Sequence, residues 1–348
     1  MLAAVFEAEG QLVLRDCPKP RLERESDVLI KVTGVGICGT DLHILQVPPA
    51  HPAKKGAILG HEFAGQVAEV GRQVLDFKPG DTVLVDPHAG CGRCRQCKRG
   101  YPDLCEELYI LVEGQWHPST IGIFSDGAMT SYVVVPKQNL YRIDPKVPPH
   151  LAALAEPLAC VVNATEKVRV QPGETAVVLG AGPIGLLFTS LFKASGAAKI
   201  IVSEFSEYRR KAARNCGASL VIDPNSENLE KVVASETNRG ADIVVEAVGP
   251  MLDQTLSLAR SSGKIIHFGH DELARPAIRV GEITRKELTI YGSFIGRFCF
   301  ERVARIIESG VLPLDVIVSH RLPLSKVHEG LELLRQGNAI KVILHPEE

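Results

Sequence analysis

Four cysteines, Cys91, Cys94, Cys97 and Cys105, crowd into fifteen residues of a 348-residue chain. Their C-x2-C-x2-C-x7-C spacing suits tetrahedral zinc. A closed four-thiolate shell leaves no position for a substrate, so such a site is structural. An iron–sulfur cluster is the rival, but bacterial cluster motifs close on a three-residue interval followed by Pro. Here the interval is seven and Glu106 follows. A second chemistry lies in GAGPIG, Gly180 to Gly185, with Pro183 and Ile184 between its glycines. Gly180 permits a tight turn, Gly182 lets the backbone approach a pyrophosphate, and Gly185 lets helix and strand pack closely. The helix N-terminus then offers amides and a positive dipole end to phosphate. Glu204, 24 positions after Gly180, can accept the adenosine ribose hydroxyls, which favours NAD. Arg209 and Arg210 follow it and are the residues that would meet the 2′-phosphate of NADP. The third constellation is GICGTDLH (36–43) with GHEFAG (60–65). Cys38 and His61 suit a second zinc, and a catalytic zinc needs three protein ligands and one open position. Spacing leaves the third ligand open between Glu156 and Cys160, both in AEPLAC.

These residues need two kinds of scaffold. Residues 1–150 hold short apolar runs broken by Gly, Pro and Asp: 28–36, 64–71, 81–85 and 130–135, which predict a β-rich unit. A Pro-rich joint follows at 144–150. From 154 to 291 apolar runs at 176–180, 199–204, 220–222, 242–247, 264–269 and 288–292 alternate with helix-length segments. Six strands at this spacing predict a doubly wound parallel sheet. After it come an amphipathic helix at 300–310 and a strand at 341–345, so the second unit is inserted into the first or followed by a return to it.

Composition narrows the function classes. The chain is 45% hydrophobic and 23% charged, an ordinary globular balance. Lys plus Arg number 39 and Asp plus Glu 41, for a net charge of −2, so there is no global attraction to nucleic acid or to an anionic membrane. Residues 175–192 carry no charge, but Gly180, Gly182, Pro183 and Gly185 break them, and a cofactor motif accounts for them better than a membrane span. Nine cysteines are too sparse for a disulfide scaffold and point to a reducing compartment. The first ten residues lack the basic start of a signal peptide.

Taken together and in order, GICGTDLH, GHEFAG, the four-cysteine lobe, EPLA, GAGPIG, VSE and KELTIYGS resemble the zinc-dependent medium-chain alcohol and polyol dehydrogenases over essentially the whole chain. The resemblance implies an α/β fold. A GroES-like β-rich catalytic domain would occupy 1–153 and 292–348, with a structural zinc lobe at about 88–108 and a Rossmann NAD-binding domain at 154–291. It implies two zinc ions per chain, with Cys38, His61 and Glu156 at the catalytic one, because EPLA matches the sorbitol and threonine dehydrogenase branch. Glu62 would exchange onto the metal, Asp41 would steady the His61 ring, and Thr40 with His43 would relay the substrate proton. Val248 and Arg209 would join the glycine turn and Glu204 around NAD.

The implied activity is hydride transfer from an alcohol to NAD in a cytoplasmic homo-oligomer, a tetramer or dimer. The substrate expected here is a small polyol or sugar derivative, because 283–294 resembles sugar-alcohol dehydrogenases and Thr40, Ser125, Asn163 and Ser293 are uncharged, with Arg297 a charged exception. L-Threonine is the runner-up, through VSEFSEYRR (202–210), and simple alcohols or 2,3-butanediol come third. A non-enzymatic NAD(P)-binding protein on this fold would be expected to lose Cys38, His61 or Glu156. Asn163 in place of a frequent histidine, DGAMTSY at 126–132 and the loop 45–57 depart from the family pattern.

Overall fold

The computed structural model describes residues 1–112 and 114–346. The chain divides into two compact units: 1–159 with 295–309 and 318–348, and 160–294 with 310–317.

The first unit is built on a seven-stranded sheet. Its path runs Val318–Pro323, Lys341–His345, Asp27–Gly36, Glu62–Val70, Thr82–Val85 and Leu140–Arg142, and Tyr132–Pro136 also pairs with Asp27–Gly36. Asp27–Gly36 is the central strand, and its apolar side chains pack with Phe63, Val83, Val133, Val342 and Leu344 in one core. Burial of such a contiguous apolar set is the main force holding the sheet closed. The register sets Gly36 opposite Glu62 on one side and opposite Ile343 on the other. Two hairpins complete the unit, Leu2–Ala8 with Gln11–Asp16 and Tyr109–Val112 with Gln115–Pro118. Helix Gly39–Ile44 follows the central strand directly. Asp41 stops its N-terminus by accepting the Cys38 amide at 2.8 Å.

The second unit carries a six-stranded all-parallel sheet in the order Leu220–Ile222, Lys199–Ser203, Thr175–Leu179, Ala241–Glu246, Ala259–His267 and Thr289–Gly292. The inner strands Lys199–Ser203, Thr175–Leu179 and Ala241–Glu246 carry runs of Val and Ile without polar alternation, as expected where both faces are covered by helices. Val177, Val178, Ile200, Ile201, Val244 and Ile265 are all fully buried. The strand order reverses beside Thr175–Leu179, and ligands bind such sheets at the carboxyl ends of strands at that reversal. The uncharged stretch 175–192 divides between this strand and helix Pro183–Ala194. Among the described residues, no helix is long and apolar enough to cross a membrane.

Candidate metal and cofactor sites

In the first unit the four thiols of Cys91, Cys94, Cys97 and Cys105 lie within 4.8 Å of one another. Cys91 and Cys97 are 4.0 Å apart at sulfur, and Cys94 and Cys105 are 3.9 Å apart. Tetrahedral zinc with ~2.3 Å bonds to sulfur spaces its ligands at about 3.8 Å, so the cluster fits a zinc ion. Amides face the sulfurs: Cys94 donates to Cys91 Sγ and Cys97 to Cys94 Sγ. The second of these bonds draws the Cys94 thiol down to about 6. A base of the lobe is fixed by Asp103, whose side chain is 2% exposed. Arg297 grips it with two hydrogen bonds of 2.7 Å while lying over the Tyr101 ring. Arg297 is therefore committed to the lobe.

The second cluster joins Cys38, His61 and Glu62, whose ligand atoms also lie within 4.8 Å of one another. Cys38 lies between the central strand and helix Gly39–Ile44, His61 directly precedes the neighbouring strand, and Glu62 opens it. Burial alone would push the His61 imidazole down. The Cys38 thiolate with the Asp41 and Glu156 carboxylates overcomes it and raises the ring to about 10. His61 Nδ1 is buried, lies 4.0 Å from Asp41 Oδ1, and neither atom has a hydrogen-bond partner among the described residues. An anionic donor set around a buried imidazole is what a divalent cation requires, so these residues fit zinc. Glu156 is buried in the first turn of helix Ala155–Val168, and its charge is felt at His61. Thr40 Oγ1 is 3.6 Å from Cys38 Sγ, while His43 is exposed on the same short helix. Glu62 is held by both oxygens on the Lys341 ammonium. In the sequence Lys341 is marked only as the first residue of a strand. His88 also carries no signal in the sequence: its side chain is 7% exposed, and burial with the His61 charge lowers it to about 3.

In the second unit the glycine turn has the geometry a dinucleotide needs. Gly180 takes φ +90°, and a side chain there would strike Val248. A side chain on Gly182 would meet nothing within 4 Å, so the backbone is open to a ligand. At Gly185 a Cβ would fall 2.0 Å from the Gly180 carbonyl. Pro183 starts the helix and Ile184 is its second residue. Glu204 accepts the amides of Ala181 at 2.7 Å and Ser206 at 2.9 Å, which fixes its carboxylate beside the turn. Each oxygen keeps lone-pair capacity for a ribose hydroxyl. Arg210 is spent on the Glu204 and Phe205 carbonyls and on Asp223. The Arg209 amide donates to Ser206 Oγ as part of the helix cap. The site fits a dinucleotide.

Residues 24–145 match the alcohol dehydrogenase GroES-like domain, and residues 183–309 match the zinc-binding dehydrogenase domain. Over 96% of its length the chain is 38% identical to an L-threonine 3-dehydrogenase of Pyrococcus abyssi, covering 94% of that protein.

The chain belongs to the zinc-dependent medium-chain dehydrogenases.

A sorbitol dehydrogenase of Bacillus subtilis is 31% identical over 99% of this chain and 97% of its own. A zinc-binding dehydrogenase from Sinorhizobium meliloti, solved bound to NADP, superposes with a TM-score of 0.91 at 31% identity, covering 99% of each chain. This medium-chain dehydrogenase is an oxidoreductase acting on CH–OH donors with NAD(P), with a GroES-like β unit and a Rossmann sheet.

Proposed function

We propose that this dehydrogenase oxidises the secondary alcohol of L-threonine, or of a close 2-amino-3-hydroxy acid, with NAD. The observation that carries the reading is whole-length similarity: 38% identity to a threonine dehydrogenase against 31% to a sorbitol dehydrogenase. The polyol expected from segment 283–294 becomes the second reading, and the sorbitol dehydrogenase is what keeps it. In either case Cys38, His61 and Glu156 hold one zinc and the four-cysteine lobe a second. Bound zinc supplies a Lewis acid for the substrate hydroxyl, and bound NAD supplies the hydride acceptor. Thr40 and His43 pass the hydroxyl proton outward, and the Asp41 carboxylate faces the His61 ring as its nearby negative charge. The glycine turn and helix N-terminus take the pyrophosphate, with Val248 packed against Gly180 and Glu204 on the ribose.

A substrate with an ammonium and a carboxylate is separated strongly from a neutral polyol, because charged groups left unpaired in a desolvated site are costly. We expect kcat/KM for L-threonine to exceed that for sorbitol or xylitol at least about tenfold, measured by NADH absorbance. A polyol preferred by the same margin would establish the second reading and leave the zinc and NAD chemistry intact.

Cofactor choice is tested separately. NAD is expected to be used better than NADP, since the Glu204 carboxylate repels a 2′-phosphate and Arg210 is already engaged. Glu204→Ser should narrow the ratio of the two kcat/KM values. Better use of NADP by the unaltered protein would make Arg209 the determinant.

A further inference from the structure

Glu246 closes strand Ala241–Glu246 in the second unit, and its carboxylate is fully buried. Oε1 accepts the Val248 amide at 2.9 Å and the Gly249 amide at 2.6 Å, which fixes the loop after the strand. That loop is tied to the glycine turn. The Ala247 amide donates to the Leu179 carbonyl at 3.2 Å, and Val248 fills the place a side chain on Gly180 would take. Oε2 faces His267 Nδ1 at 3.2 Å, an ion-pair distance, but at an angle too bent for a hydrogen bond. Gly269 closes over the pair, where a Cβ would stand 2.6 Å from Oε2. Burial pushes the Glu246 carboxyl up, but His267 with the Gly249 and Val248 amides outweighs it and holds the group below the usual carboxylate range. A charge therefore sits at the carboxyl end of the sheet, out of reach of water.

We infer that His267 is a positioning residue for the dinucleotide: its ring, in the charged form, matches the buried Glu246 carboxylate and so holds the loop 246–249 in place for the nicotinamide half. The inference rests on the dinucleotide reading of the glycine turn. Strand order assigns the half. A dinucleotide lies across the reversal of a doubly wound sheet, with one mononucleotide half on each side. Glu204 follows Lys199–Ser203, on one side of Thr175–Leu179, and marks the adenosine end. Ala241–Glu246 and Ala259–His267 lie on the other side, with Glu246 and His267 in register at their carboxyl ends. Removing one partner of a buried pair leaves an uncompensated charge. Without His267, Glu246 must take up a proton or turn toward water. Either change loosens its grip on the two amides, because a charged acceptor holds an amide more strongly than a neutral one.

The test is calorimetric titration of the zinc-loaded protein with NADH and, separately, with AMP, which carries only the adenosine half. His267→Leu should weaken NADH binding about tenfold, an ordinary coupling between contacting residues, and leave AMP binding unchanged. Adding Glu246→Gln should restore most of the NADH affinity, because a carboxamide oxygen still accepts the two amides and strands no charge. Equal losses for NADH and AMP would give His267 a merely structural role and overturn the inference. Unchanged NADH affinity in His267→Leu would overturn it too, as would a double variant no better than the single one. If His267→Leu fails to fold, the same comparison on His267→Asn decides it. Unaltered protein that binds AMP but neither NADH nor NADPH would instead overturn the dinucleotide reading, and this inference with it.

Discussion

Glu156→Ala should lower kcat/KM by about 10³ or more, a loss of ~4 kcal/mol in transition-state stabilisation. Zinc content should fall from two ions per chain to one. Cys160→Ser should keep both ions and most of the activity. Glu156 is buried and its charge reaches His61. Cys160 stands one helical turn further along and groups with the other unit. The other nearby carboxylate, Glu62, is paired with Lys341. Elemental analysis with steady-state kinetics on both variants checks this. The reverse ranking would move the third ligand to Cys160, and a silent Glu156→Ala would move it to Glu62.

Arg297→Met should strongly destabilise the four-cysteine lobe. Asp103 is buried and holds Arg297 by two bonds. Removing the guanidinium strands a buried carboxylate, which costs about 3–5 kcal/mol. Calorimetry should show the transition of this unit shifted down by several degrees. Pairing the change with Asp103→Asn should recover most of the loss, because no charge is then left unmatched. Equal stability of the single variant and the unaltered chain would show that water reaches Asp103 and that the pair is worth no more than a surface one.

What could be read from the residues alone was local. The cysteine quartet spans fifteen residues, and the glycine turn is bounded by its own strand and helix, so spacing carried both. The strands of the second unit stood out because a parallel sheet covered on both faces reads as apolar runs at its centre. Their order did not, since pairing is a property of the fold. The strand Leu140–Arg142 is three residues long, too short to leave a pattern. Glu62 and Lys341 are 279 residues apart, and Asp103 and Arg297 are 194 apart. No local signal marks either pair. His88 lay two residues from Asp86 in a stretch read for its cysteines, and only burial distinguishes it. Substrate was the least legible, because the zinc and dinucleotide motifs are shared across dehydrogenases that act on different alcohols.

The placement of Lys341–His345 has a consequence for how the molecule is made. That strand covers the far end of Asp27–Gly36, at Val35 and Gly36, while Tyr132–Pro136 covers only residues 27–31. The ribosome delivers Cys38, His61 and Glu156 well before Lys341. At about 5–20 residues per second, the interval from 156 to 341 lasts roughly 10–40 s. Throughout it the central strand keeps part of an open edge, and Glu62 has no counter-charge. Residues 160–294 run without interruption and can close their sheet meanwhile. The metal-bearing unit is thus begun first and finished last. An open, apolar strand edge is the kind of surface that aggregates or recruits a chaperone.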